Sequence, residues 1–145
     1  MSRVDPREIA IVLRTLRLLG AHAISLTGSR TTGMAIVHEA VRRHPRPSGS
    51  LDGQTLACIL AEITEACRHR QGGTDLEPTF GVEFMRLPFE ARTCVSLRIN
   101  FGMEFREIGP IISMPGREAE LLYAETIRRL EDADGPCPFS LRRET

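Results

Sequence analysis

The side chains that usually bind metals or carry catalysis are few and scattered in this chain. The histidines are His22, His38, His44 and His69, and the cysteines are Cys58, Cys67, Cys94 and Cys137. No histidine has a carboxylate or cysteine at the spacing of a zinc site, and the cysteine spacing is not that of a disulfide framework. The sequence therefore predicts no metal site, and three of the cysteines are expected to be small buried hydrophobic side chains.

Patterns for nucleophilic catalysis and phosphate binding are also missing from the sequence. Ser25, Thr27 and Ser29 form a polar turn, but no histidine base pattern accompanies them. No Gly-rich phosphate-binding loop is present. We therefore expect no catalytic residues and no cofactor, and we expect that the protein is not an enzyme.

The bulk composition is that of a globular protein, with 41% hydrophobic and 26% charged residues. We expect no stretch that is long and apolar enough to span a membrane, and we recognise no secretory signal peptide at the start of the sequence. We therefore expect a cytoplasmic protein without a membrane partner.

Charge is unevenly distributed, although the formal net charge is zero. Positions 1–47 contain eight arginines and three acidic residues, whereas positions 116–134 contain three arginines and six acidic residues. A DNA-binding protein should carry its basic residues on the element that reads DNA. Here the basic block lies in the first half of the chain, and the last stretch with helical periodicity is acidic.

Hydrophobic periodicity and helix punctuation predict an all-α fold of two small bundles. In the first bundle, helices are predicted from Pro6 to about Ser25, from about Thr32 to His44, and after a cap at Ser50 or Asp52. In the second, they are predicted from about Pro88 to Asn100, from Glu104 to Ser113, and from Gly116 to about Asp132. The predicted domains are 1–70 and 86–134, with a linker at 71–85 and a disordered tail at 135–145.

The linker allows two interpretations. Gly72, Gly73 and Pro78 favour a flexible tether. Phe80 and Phe84 instead favour a segment that docks on one of the bundles. The sequence alone does not decide between the two.

Residues 87–132 read LPFEARTCVSLRINFGMEFREIGPIISMPGREAELLYAETIRRLED. This stretch resembles region four of extracytoplasmic-function sigma factors. In that pattern a Leu-Pro pair (here Leu87-Pro88) opens a helix, an aromatic with Arg-Glu-Ile (Phe105 to Ile108) opens the next, and a glycine (Gly116) leads into the recognition helix. The resemblance implies a helix-turn-helix.

The first half supports the same family. Residues 16–43 read LRLLGAHAISLTGSRTTGMAIVHEAVRR and resemble region two of these sigma factors. They resemble even more closely the sigma-like domain of PhyR-type response regulators, in which an LTGS turn joins the first two helices. The resemblance covers roughly residues 9–70 and 86–132.

Departures from the sigma-factor pattern change the expected function. Region two generally carries an acidic residue at or just before the position of Ala35, where it docks on the polymerase, but Gly33, Met34 and Ala35 are uncharged. The third helix also lacks the aromatic residues that hold flipped bases during promoter melting.

The last helix departs from a DNA reader as well. Its outward positions are predicted to carry Glu118, Glu120 and Glu125, with Leu121 between them and one arginine, Arg117. Phosphates would repel these carboxylates, and phosphate attraction supplies most non-specific DNA affinity.

Gly109-Pro110 lies inside the short helix, where the pattern usually has an alanine and a helix former. Proline removes a backbone donor there, so the sequence predicts a kinked helix or one that starts late. This irregularity is either tolerated or a reshaping of the helix for another protein.

The resemblance to the PhyR family implies a sigma-factor mimic that binds a small anti-sigma protein of the NepR type in the general stress response. The residues predicted to bind the partner are Phe101, Phe105, Ile108, Ile111, Ile112, Glu118, Leu121 and Glu125. The alternative is a working sigma factor that binds core RNA polymerase, with promoter DNA held by Arg106 and Arg117. A weaker alternative acts through polymerase contacts alone. The oligomeric state, and whether the family's receiver domain belongs to the protein, stay open.

Overall fold

A computed structural model describes residues 5–44, 53–70 and 82–132, and this part of the chain is all-α. Its helices are α1 Pro6–Thr27, α2 Arg30–Arg43, α3 Gly53–His69, α4 Val82–Met85, α5 Phe89–Phe101, α6 Phe105–Ile112 and α7 Gly116–Asp132. The predicted helices are confirmed, with ends that differ by one or two residues. The predicted cap of α3 and the predicted tail lie outside the described residues.

Both ends of α1 are set by capping residues, and the turn between α1 and α2 is shorter than predicted. The side chain of Asp5 accepts a hydrogen bond at 2.9 Å from the backbone N–H two residues later, and Pro6 occupies the first helical position. At the other end α1 continues to Thr27, two residues beyond its predicted end. Gly28, at φ 75°, then terminates the helix, and the Ser29 hydroxyl caps α2 at once.

The expectation about membrane-spanning length is wrong for α1. Among the described residues, the stretch Ile9–Thr27 is long and apolar enough to cross a membrane. Its many aliphatic side chains keep its mean hydropathy high although it contains Arg14 and Arg17. Only 33% of this stretch is buried in the protein. Leu19 and Ala23 nevertheless pack into the central core. The structure therefore uses the second half of α1 as a core element.

One buried cluster joins helices from both predicted bundles. It includes Leu19, Leu26, Val37, Leu60, Cys94, Leu97, Ile108 and Ala119. The central element is α5, in which every residue from Ala91 to Leu97 is buried. A helix that is buried on all sides has to be covered by several neighbours, and α5 packs against α1, α6 and α7. The two halves therefore share one core, and their division into separate domains stays a prediction.

The end of the predicted linker docks on the helical core. Phe84 in the single turn α4 (Val82–Met85) is fully buried and packs with Val95 of α5 and Leu130 of α7. The docking interpretation is therefore confirmed for Phe84. Phe80 lies outside the described residues.

The short helix α6 does not start late. It begins at Phe105, after Glu104, whose backbone N–H donates to a carboxylate oxygen of Glu107 at 3.0 Å. Pro110 lies in the helix interior and on its exposed side, and it lacks the backbone N–H that another residue would donate there. The helix ends at Ser113, which adopts a left-handed conformation at φ 59°.

Two glycines set the close contact between α6 and α7. A Cβ added to Gly109 would lie 2.5 Å from the carbonyl oxygen of Met114 in the following turn. A Cβ on Gly116, the first residue of α7, would lie 3.1 Å from Cα of Arg106. The glycine that departs from the sigma-factor pattern is therefore required by the tight turn.

Gly109→Ala is expected to lower the free energy of unfolding by about 1–3 kcal/mol, because the added methyl group overpacks a backbone contact. Urea unfolding of the full chain measures the change. The matched control is Gly53→Ala, since a Cβ at Gly53 meets nothing within 4 Å. The control should change the free energy of unfolding by less than about 0.5 kcal/mol. Equal effects of the two substitutions would contradict this explanation.

Candidate functional site

Helix α7 separates its residues into a buried and an exposed face, as predicted. Ala119, Thr126 and Leu130 are buried. The exposed residues include Glu118, Glu120, Leu121 and Glu125, and we call these four the acidic face. Leu121 is 64% exposed. A large aliphatic side chain is therefore open to solvent, with Glu118, Glu125 and Arg117 about one helical turn away from it.

The negative charge of the acidic face is only weakly compensated. Glu125 is 3.8 Å from Arg129, an exposed pair that contributes little stability. Glu118 and Glu120 form no ion pair with another described residue. Glu118 lies in the first turn of α7, where a carboxylate interacts favourably with the helix dipole. Glu125 lies two turns further along the helix and gains nothing from that effect, so helix stability does not account for the whole face.

A groove borders the acidic face between α5, α6 and α7. The apolar side chains that line it are Phe105, Tyr123, Ala124 and Ile127, and Glu120, Arg128 and Glu131 lie along it. The rings of Phe105 and Tyr123 are 5.5 Å apart, and the guanidinium of Arg98 lies 4.9 Å from the Phe105 ring centre. Arg98 also donates a hydrogen bond at 2.9 Å to the backbone carbonyl of Met103, which fixes it on that ring. The groove thus has an aromatic floor and charged edges.

The structure separates the residues that were predicted to bind a partner. Phe105 lines the groove, whereas Glu118, Leu121 and Glu125 belong to the acidic face. Phe101 and Ile111 are half-buried against the core.

Ile108 and Ile112 are 0% and 3% exposed. Both were predicted to bind the partner, but neither is accessible, because the apolar side of α6 is covered by the core and by α7. The sequence-based prediction did not include the groove residues Tyr123, Ala124 and Ile127. The helical spacing of these residues can be read from the sequence, but their partial exposure in the groove cannot.

The two arginines of the DNA-binding alternative lie near the N-terminal ends of α6 and α7. The side chain of Arg106 is 82% exposed and forms an ion pair with Glu104 at 2.6 Å. Arg117 is exposed at the start of α7. Because Gly116 lies close to the backbone of Arg106, the first turns of α6 and α7, which carry the two arginines, are neighbours.

The histidines that meet carboxylates do so as surface pairs. His44 Nε2 lies 2.5 Å from Glu62, and His69 Nε2 lies 2.9 Å from Glu65. Hydrogen bonds from Arg43, and then from His44, hold the pKa of Glu62 below its usual value. In the part of the chain that the structure describes, no three histidine, cysteine or acidic side chains gather in a group that could hold a metal ion.

Two of the three helical cysteines are buried as expected. The thiol of Cys67 donates to the carbonyl of Ala23, and that of Cys94 donates to the carbonyl of Ala119. Burial raises the pKa of Cys67 to about 12 and that of Cys94 to about 11, so both stay protonated at neutral pH. Cys58 is exposed, which corrects the expectation for that residue.

No family model, curated protein or solved structure matches this chain. An exposed leucine among carboxylates suits a protein partner better than it suits a phosphate backbone.

Leu121→Ala is expected to change the free energy of unfolding by less than about 0.5 kcal/mol, because Leu121 packs against little in the folded chain. The matched change Ile108→Ala should cost about 2–5 kcal/mol, since it leaves a cavity in the core. Thermal or urea unfolding of the two variants gives the comparison. A large loss of stability for Leu121→Ala would show that this side chain is a structural residue rather than part of a free surface.

Proposed function

We propose that this protein is a sigma-factor mimic that binds a small anti-sigma protein of the NepR type and thereby releases the true sigma factor. Two features support this proposal together. Residues 9–70 and 86–132 resemble the sigma-like domain of PhyR-type regulators, and the helices α5 to α7 occur in the order that the resemblance implies. Such a protein would act in the cytoplasm, as an antagonist in stress signalling rather than as an enzyme.

The observation that carries the proposal is the acidic face of α7. In a DNA-binding helix-turn-helix, the first turns of the second helix enter the major groove between the phosphates. Here those turns present Glu118, Glu120 and Leu121 to solvent. One glutamate can accept a hydrogen bond from cytosine, but several carboxylates beside a single arginine are repelled by the phosphates.

The same face fits a basic amphipathic segment of a protein. A partner helix could place aliphatic side chains against Leu121 and the Phe105–Tyr123 floor while its basic residues meet Glu118, Glu120 and Glu125. Interfaces of this kind draw affinity from a few buried anchors, whereas rim charges mainly set specificity and the rate of association. The acidic face supplies both an anchor and rim charges.

The first bundle supports mimicry in a different way. At the position where region two docks on the polymerase, Gly33 is buried, and its missing Cβ would lie 2.9 Å from the backbone nitrogen of Ile24. Met34 and Ala35 beside it are exposed and uncharged. An acidic contact with the polymerase clamp has no counterpart at these positions.

Titration of the purified protein with a purified NepR-type protein tests the proposal directly. We expect a stoichiometric complex by calorimetry, and we expect the protein to displace a sigma factor from that anti-sigma protein. Core RNA polymerase, the alternative binding partner, is titrated in the same way. Binding to core polymerase without binding to the anti-sigma protein would overturn the mimicry proposal.

The double substitution Glu118→Arg and Glu120→Arg is expected to weaken the complex about tenfold or more, because it reverses the charge of the acidic face. It should also create a weak DNA affinity that disappears at high salt. The matched control is Glu65→Arg with Asp132→Arg, which makes the same change in net charge at exposed positions outside the acidic face and the groove. Equal losses for both double variants would assign the effect to net charge alone.

A working extracytoplasmic-function sigma factor is the second candidate, and it is favoured by the exposed Arg106 and Arg117 at the helix-turn-helix. Promoter-specific transcription with core polymerase should then be robust, and it should be abolished by Arg106→Ala with Arg117→Ala. Mimicry predicts no initiation from any promoter tested. Robust initiation by the native protein would therefore replace the first proposal with the second.

A further inference from the structure

His22 is a fully buried imidazole at the contact between the two halves of the chain. It lies on α1 and is hydrogen-bonded on both ring nitrogens. Nδ1 is 2.7 Å from the hydroxyl of Ser96 on α5, and Nε2 is 3.0 Å from the hydroxyl of Thr64 on α3. One side chain therefore ties two helices of the first half to the central helix of the second.

The direction of these hydrogen bonds follows from their neighbours. The side-chain amide of Asn100 donates to the Ser96 hydroxyl at 3.0 Å, which leaves the Ser96 proton free to be donated to Nδ1 of His22. Nε2–H of His22 then donates to Thr64. Each ring nitrogen of a neutral imidazole has a suitable partner in this arrangement. A protonated ring would donate from both nitrogens, so the Ser96 hydroxyl would have to turn from donor to acceptor while it also accepts from Asn100, and the buried ring would carry an unbalanced charge.

Among the described residues, the His22 ring contacts no acidic side chain that could balance such a charge. From α3 and α5 the ring meets two hydroxyls and the ring of Phe101, which lies edge-on at 6.1 Å between centres. Burial lowers the pKa of His22 to about 3 and is the one cause of that shift, so no charged side chain of the described α2, α3 or α5 contributes to it. The closed contact therefore requires a neutral ring.

We propose that His22 is a proton-sensitive latch: the contact between α1, α3 and α5 closes on the neutral imidazole and opens when the imidazole binds a proton. This regulation goes beyond the proposed function, because it concerns the contact between the two halves and needs no partner. The same contact also contains apolar residues such as Leu97 and Leu26, so opening exposes part of the core.

The sign of the pH effect follows from the two states. In an open state, water reaches His22 and its pKa returns to about 6.5, whereas the closed state resists protonation down to about pH 3. Above pH 6.5 neither state binds the proton, and the latch costs nothing. Between pH 6.5 and pH 3 the closed state loses about a factor of ten per pH unit relative to the open state, which is about 30-fold at pH 5.

Amide hydrogen exchange of the full chain at pH 7.5 and pH 5.0 tests the latch. The second half of α1 is held by its packing against α3 and α5, so opening of the latch should release it and expose its amides. After correction for intrinsic exchange rates, the protection of the α1 amides from Leu19 to Thr27 is expected to fall about 30-fold at pH 5.0, while α7, which packs on α5 and α6, keeps its protection. In His22→Gln, which can form both hydrogen bonds but does not titrate, the fall should be less than about threefold.

The control variant is His69→Gln, since the His69 side chain is 72% exposed and should leave the wild-type response intact. An equal fall in His22→Gln and the wild type would overturn the proposal, as would equal falls in α1 and α7, which indicate global unfolding. If His22→Gln fails to fold, nuclear magnetic resonance of the wild-type ring decides. A neutral ring with its proton on Nε2 down to pH 5 supports the latch, and a ring that titrates near pH 6.5 while α1 stays protected overturns it.

Discussion

The structure depends on the burial of α5. Every side chain from Ala91 to Leu97 is covered, so α5 acts as the axis around which the other helices pack. Cys94 reaches the backbone of α7 on one side, and Ser96 reaches His22 of α1 on another. A buried polar group costs free energy unless it is hydrogen-bonded. These hydrogen bonds therefore determine where α1 and α7 sit along α5, and not only that they lie close to it. The acidic face is exposed because the opposite face of α7 is used for this packing.

Local sequence signals predicted the helices well and their tertiary partners poorly. Gly102 follows α5 in a left-handed conformation at φ 61°, and Gly116 begins α7 close to the backbone of Arg106. Both glycines therefore mark the turns around α6, and the structure confirms those helix boundaries. The end of α1 was missed because Leu26 is held by the core and the hydroxyl of Thr27 bonds back to the carbonyl of Ala23. Propensity near a glycine does not reveal such contacts.

The candidate site shows the same division. Helical spacing correctly separated Leu121 from Ala119, because that separation depends on periodicity alone. It could not tell that Ile108 is covered and Phe105 partly open, since both follow the same apolar pattern of α6. His22 looked like an isolated histidine because its two hydroxyl partners lie 42 and 74 residues away in the chain. Long-range polar contacts of this kind leave no mark on local sequence.

The burial of Phe84 determines when the second half of the protein can finish packing during synthesis. Phe84 precedes α5, and its burial partner Leu130 lies in the last turn of α7. The second half of the protein is therefore closed by a contact between its two ends. During synthesis Phe84 leaves the ribosome early, and the part of its surface that Leu130 covers stays exposed until the end of α7 follows it. The α5–α7 unit thus reaches its final packing only after its whole length has been made, so an interruption within α7 leaves an aromatic side chain exposed on an unfinished core.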